Sequence, residues 1–142
     1  MRPADIPIGL LLAHSAKSVS RAFGDALAEV GGSLPMWLIL TRLRTEEWPA
    51  QLELARAVGI EGPTLTRHLD GLERAGLVVR RRDPEDRRVV KVELTKEGEA
   101  RHAELRQAVI EFDRRLRSGL SADELAQLRQ LLSKLEGNVR RA

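Results

Sequence analysis

The chain has no cysteine and no tyrosine, and aromatic residues make up only 3% of its 142 positions. Without thiols it can build no disulfide framework, thiolate zinc site, iron–sulfur cluster or cysteine redox switch. So few aromatic platforms argue against a protein that holds single strands by base stacking. The histidines, His14, His68 and His102, stand far apart and show no HExxH-like spacing. Neither a Gly-rich phosphate loop nor a GxSxG elbow occurs. No enzyme, metal centre or cofactor is therefore expected. Long apolar runs are missing too. The stretch Ile6–Ala13 falls far short of the ~20 residues that span a bilayer. With only Arg2 as a basic flank and no convincing cleavage site, it does not read as a signal peptide either. The expectation is a cytoplasmic protein with no membrane contact.

What is present suits one globular domain: 42% hydrophobic and 32% charged residues. The net charge of +3 is unevenly placed. Residues 62–91 carry eight basic side chains against five acidic ones, whereas residues 1–50 sum to zero. A basic stripe of this kind is the electrostatic footprint of a nucleic-acid binder. The alternative is a solvated surface whose arginines pair with Asp83, Glu85 and Asp86.

Periodicity divides the chain into helices around one hairpin. A first helix is expected from about Ile8 to Val30, stopped by Gly31-Gly32. Ser33 can cap a second, roughly Leu34–Arg44, with Pro35 tolerated in its first turn. Thr45–Pro49 make a connection. Leu52, Leu54, Ala55 and Val58 give a short amphipathic helix that ends at Gly59 and starts at Ala50, a weak cap. Another follows over Gly62–Ala75, with Leu65, Leu69 and Leu72 inward. The period then changes to two. Leu77–Val79 and Val90, Val92 and Leu94 read as strands around the charged turn Asp83-Pro84-Glu85-Asp86. Thr95 caps a long helix, about Lys96–Ser118. Ser121 to Glu124 form a capping box for a last helix striped by Leu125, Leu128, Leu131, Leu132 and Leu135.

Two short helices joined by a tight turn and followed at once by a basic hairpin make a winged helix-turn-helix. The fold expected is mainly α with a small β-hairpin wing, the winged part (34–94) lying between N-terminal (6–30) and C-terminal (95–142) dimerisation helices. The second short helix would offer its outer face to the major groove of double-stranded DNA. That face carries Pro63, Thr66 and Arg67, with Thr64 at its edge. Arg67 can make a bidentate contact to guanine, and the two threonines can touch phosphate or a thymine methyl. Alternatively, Arg67 pairs with Asp70 on a solvated helix face. At the wing, Asp86, Arg87 and Arg88 form the tip. An arginine there suits a narrow minor groove, held in place by a neighbouring carboxylate.

Over nearly its whole length the chain resembles the MarR family of transcription regulators. The residues carrying the match are Leu54-Ala55, Gly59-Ile60, Thr64 to Leu72, Gly76-Leu77-Val78, Arg80, Asp83 to Arg88, Leu94-Thr95 and Gly98. The run Gly59 to Leu65 is similar to the SlyA-like branch. The resemblance implies an obligate homodimer, a recognition helix in the major groove, and Arg88 in the minor groove beside Asp86. It also implies a repressor on a palindromic operator, released by a small phenolic or aromatic ligand. The absence of cysteine departs from the peroxide-sensing branch.

The leucine stripe of the last helix and the apolar start of the first have no obvious partner within a winged domain, and a second copy of the chain would cover them. Packing of the terminal helices on each other is the alternative. For a ligand pocket the candidates are Trp37, able to stack on an aromatic molecule, and His14. An interior Trp is more often simply core, and His14 reads more readily as a satisfied interface histidine. Two further functions stay open: a DNA binder with no effector, and a winged module used only for protein contacts.

Overall fold

The computed structural model describes residues 2–46 and 50–140. The connection expected at Thr45–Pro49 lies partly outside them. The chain forms two compact units, residues 1–109 and 110–142, which divide within a long helix.

The first unit contains α1 (Ile8–Ala28), α2 (Leu34–Thr45), α3 (Gln51–Val58), α4 (Gly62–Arg74), β1 (Val78–Arg82), β2 (Val90–Leu94) and most of α5 (Lys96–Leu116). Helix α1 stops two residues earlier than expected because the Gly32 N–H closes back onto the Leu27 carbonyl at 2.8 Å. Ser33 caps α2 by accepting from the Met36 N–H at 3.2 Å, ahead of the proline in the first turn. Among the described residues no side chain caps α3. Instead the Ala50 backbone forms an antiparallel bridge to Lys91, so the weakly capped helix start is braced by β2. Gly59 ends α3 with φ of +71°, and the Ile60 N–H then reaches the Ala55 carbonyl. A side chain at that φ would be strained, which is why the tight turn between α3 and α4 needs glycine.

One core joins these elements. Leu27 of α1, Ile39 and Leu40 of α2, Leu54 of α3, Leu65 and Leu69 of α4, Val78, Val92, and Leu105 of α5 are all essentially inaccessible. The inward leucines of α4 are the three that its periodicity marks, Leu65, Leu69 and Leu72. The strands pair antiparallel, Val78 opposite Leu94 and Arg82 opposite Val90. Pairing therefore continues through Arg80–Arg82, beyond the strand expected from hydrophobicity, because the ladder bonds involve only the backbone. Thr95 links the hairpin to α5. Its hydroxyl donates to the Gly76 carbonyl at 2.6 Å and accepts from the Gly98 N–H at 3.0 Å.

The second unit holds the end of α5 and α6 (Ala122–Arg140). Its capping box is formed: the Ser121 N–H reaches Glu124 Oε1 at 2.9 Å and the Glu124 N–H reaches Ser121 Oγ at 3.1 Å. The bond from the Ser121 N–H, and after it the Ser121 hydroxyl, hold the Glu124 carboxyl below the usual carboxylate range. Helix α6 buries no residue, and Leu128, Leu131, Leu132 and Val139 are exposed. Ile8, Leu10, Leu11 and Leu12 of α1 are exposed as well. Among the described residues no helix is long and apolar enough to cross a membrane.

Candidate nucleic-acid interface

Burial of Leu65, Leu69 and Leu72 fixes which side of α4 faces out. Pro63, Arg67 and Arg74 are exposed on it, and Asp70 is partly so. Arg67 makes no ion pair among the described residues. The Asp70 carboxylate that could have taken it receives the Arg80 guanidinium instead. Thr64 and Thr66 are half-buried. The Thr66 hydroxyl donates to the Gly62 carbonyl at 3.0 Å and accepts from the Gln51 side-chain amide at 2.9 Å. Thr66 thus ties the start of α3 to the first turn of α4, with only its methyl and a remaining lone pair for any other contact.

Arg80 is the joint between helix and wing. From β1 it reaches back to Asp70 and Glu73, one turn apart on α4, and its own N–H donates to Glu73 at 3.0 Å. Its side chain is 19% exposed. Burial works against its charge, but the bonds to Glu73 and Asp70 outweigh this and raise its pKa. Glu73 responds in kind: the hydrogen bond from Arg80 holds its carboxyl below the usual range. The basic cluster read from sequence is therefore divided, with Arg80 structural and its neighbours outward.

The wing tip is closed by its own backbone. The Asp83 N–H donates to the Val89 carbonyl, and the Val89 N–H donates to the Asp86 carbonyl. The Asp83 carboxylate accepts from the Glu85 N–H and lies 3.5 Å from Lys91 Nζ, and these partners lower its pKa in that order. Arg82 donates to the Arg87 carbonyl at 2.8 Å. At the apex Asp86 takes three bonds from Arg88: the backbone N–H and Nε, each at 3.1 Å, and Nη2 at 3.5 Å. Arg88 is nevertheless 92% exposed, and Arg87 is exposed too. Such a pair adds little stability in water, but it fixes the direction in which a free guanidinium points. The alternative of arginines neutralised by turn carboxylates holds for Arg88 alone among the tip residues, and there the pairing leaves the cation outermost.

Between α3, α4 and β2 lies a cleft of about 510 Å³, lined by Leu52, Arg56, Leu65, Thr66, Arg88 and Val90 among others. Gln51 and Arg56, which sequence reasoning did not single out, belong to it. Nothing local marks them, since only the crossing of α3 over α4 brings them beside Thr66. The two ligand-pocket candidates are differently placed. Trp37 is half-buried and stacks on His102, ring centroids 4.9 Å apart and planes 15° from parallel. His14 is exposed in a groove along α1 with Lys17, Ser18, Arg21, Ala22 and Asp25, and Trp37 is not among its walls. No group of three or more acidic or histidine side chains among the described residues could hold a metal ion.

This arrangement has counterparts. The MarR family model matches residues 33–90, the stretch from the α2 cap to the start of β2. The crystal structure of a mutant MarR from E. coli complexed with operator DNA is 30% identical, with a TM-score of 0.82 over 92% of this chain and 94% of that one. The transcriptional repressor CouR, bound to a 23-mer DNA duplex, is 30% identical, with a TM-score of 0.84 over 92% of both chains. The transcriptional regulator PA3341 is 34% identical over 96% of this chain and all of its own, with a TM-score of 0.79. Likeness of this extent, spanning the winged part and the helices on either side of it, means that the chain belongs to the MarR family, whose members are DNA-binding transcription regulators and not enzymes.

Proposed function

We propose that the protein is a cytoplasmic homodimeric repressor that binds a palindromic operator in double-stranded DNA and is released by a small aromatic or phenolic ligand. The observation that carries the DNA-binding half is the pairing of two outward cations on one braced support. Arg67 stands on α4 with no ion pair among the described residues, Arg88 stands at the wing tip on Asp86, and Arg80 joins the two elements. In this proposal Pro63, Thr64, Thr66 and Arg67 meet the major groove, and Asp86, Arg87 and Arg88 meet the minor groove. The relatives crystallised on operator DNA and on a DNA duplex support it. Helices 6–30 and 95–142 would form the dimer, as the unburied leucines of α6 and the exposed apolar start of α1 favour. On its run from Gly59 to Leu65 we place the chain in the SlyA-like branch.

Release would be a population shift. A ligand that changes the separation of the two α4 helices from one helical turn of DNA, about 34 Å, favours the unbound state. A coupling of about 1–3 kcal/mol suffices for a useful response. Trp37, half-buried on α2, and His14, in the separate groove along α1, are the two candidates for the ligand contact.

The test is selection from a randomised duplex pool, beside the Arg67→Ala/Arg88→Ala double variant. The expected result is an enriched palindrome with half-sites about 10–10.5 bp apart, lost in the variant. Singly, Arg67→Ala should cost about 1–3 kcal/mol at one base position and relax specificity there. Arg88→Ala should weaken binding mainly at A·T-rich flanks. No enrichment by the wild type at moderate salt would replace the proposal with a protein-contact module. Unchanged operator affinity across a series of aromatic carboxylates would leave a DNA binder without an effector.

A further inference from the structure

Arg88 is the outermost cation of the wing, and its ion pair with Asp86 lies in water, where such a pair is weak. The backbone that bears Arg88 is held more firmly than its guanidinium. The amide joining Arg87 to Arg88 is fastened at both ends. Its N–H donates to Asp86 Oδ1 at 3.1 Å, and its carbonyl accepts from Arg82 Nη1 at 2.8 Å. The next amide is fastened by its N–H, which donates to the Asp86 carbonyl at 2.9 Å. Peptide groups are planar, so fixing the planes on either side of the Arg88 Cα fixes the direction in which its side chain leaves.

These bonds differ in what they anchor to. Asp86 belongs to the loop, and its bonds hold the loop to itself. The Asp83 N–H closes the base of the loop on the Val89 carbonyl. Arg82 is the last residue of β1, opposite Val90 in the ladder, and its side chain reaches from that paired backbone to the far side of the turn. One exposed hydrogen bond adds little to stability. Its effect belongs to binding, because an arginine whose support is already ordered loses less freedom on entering a narrow groove.

We propose that Arg82 is a positioning residue of the wing: by holding the Arg87 carbonyl it sets the direction of Arg88, and with it the preference for A·T-rich flanks. This rests on the reading of Arg88 as a minor-groove contact, and it adds a residue outside the tip that decides how well the contact is made. The role needs a long side chain ending in a donor. Arg82→Lys keeps one, whereas Arg82→Met keeps an unbranched stem and loses the donor.

Two measurements test the proposal. The first is backbone nitrogen relaxation of the Arg88 amide in the free protein. Its order parameter should fall from about 0.85 toward about 0.6 in Arg82→Met and stay high in Arg82→Lys, with the melting temperature kept in both. An Arg88 amide as ordered in Arg82→Met as in the wild type overturns the proposal, whatever the DNA measurements give. The second compares two duplexes that share the palindrome enriched by selection, one with A·T-rich and one with G·C-rich flanks. Arg82→Met should lower the ratio of the two affinities at least ~3-fold, Arg82→Lys should restore it, and Arg82→Met should change nothing further in an Arg88→Ala background. An equal loss on both duplexes that persists beside Arg88→Ala, with a salt slope shallower by about 1, makes Arg82 a direct phosphate contact and overturns the positioning role. A ratio lowered by Arg88→Ala but not by Arg82→Met overturns the positioning role alone. A ratio that Arg88→Ala leaves unchanged overturns the minor-groove reading, and the proposal falls with it.

Discussion

At Arg80 two opposing effects meet, and the ion pairs win. Its guanidinium is mostly buried, which costs solvation, but it meets two carboxylates one turn apart on α4, and both of those remain about half exposed. The exposure of the partners discounts the pair, so Arg80→Gln should cost about 1–2 kcal/mol rather than the 3–5 of a fully buried pair. Urea unfolding would measure this, and a wild-type midpoint would show that the wing is held by its ladder alone. His102 offers a second residue-level test. Burial first, and then the charges of Arg44 and Arg106, lower its folded pKa, so the unfolded chain binds the proton more readily, and stability falls as protons are added. The contribution is complete above the ordinary histidine value of about 6.5 and is lost as the pH drops below it toward the depressed value. Melting temperature should therefore decline between pH 7 and 5. His102→Phe, which keeps a stackable ring but gains no proton, should flatten that slope, and an unchanged slope would assign it to other groups.

Among the elements, α5 and the hairpin approach more closely than any other pair with a glycine between them. A Cβ at Gly98 would lie 2.1 Å from the Leu77 carbonyl oxygen and 2.5 Å from Leu94 Cδ1. The first obstacle is backbone and cannot rotate away. Gly98→Ala should therefore destabilise by about 1–3 kcal/mol, the range for forcing extra volume into a packed site. The check is chemical denaturation beside Gly71→Ala as a control, since a Cβ there meets nothing within 4 Å. Equal stability of Gly98→Ala and wild type would mean that the α5 start is looser than its contacts with Thr95 and Leu77 indicate. The same junction matters for the wing. Thr95 bonds to Gly76 at one end of the hairpin while Arg80 bonds to α4 in its middle, so the tip is carried on two fixed points.

For the whole molecule the unburied apolar residues are decisive. An amphipathic helix of 19 residues that buries nothing has no reason to hold its leucine stripe in water, and α6 has four large apolar residues exposed. A second copy of the chain is the expected cover. Leu128→Lys with Leu132→Lys should then shift the protein from dimer to monomer in sedimentation, and the wild-type melting temperature should rise with concentration. A monomeric wild type at micromolar concentration would refute this and leave the palindrome without its structural reason.

Local chemistry made the element order legible from sequence. Ser33, Thr95 and the Ser121–Glu124 box announce helix starts, Gly59 a tight turn, and the leucine spacing of α4 its inner face. These signals act within a few residues and need no knowledge of the rest of the chain. The outer position of Arg67 followed from that spacing, a carboxylate near a tip arginine from adjacency in the turn, and the Asp86–Arg88 pair from the family resemblance. Contacts between distant segments were decided only by tertiary packing. Nothing near Arg80 told that it would turn from the basic cluster to α4, nor anything near Trp37 that its ring would lie on His102, 65 positions away, rather than beside His14. Such pairs depend on how helices cross after the core has formed. Charge and aromaticity could name the residues, but their partners were set by burial of the leucines between them.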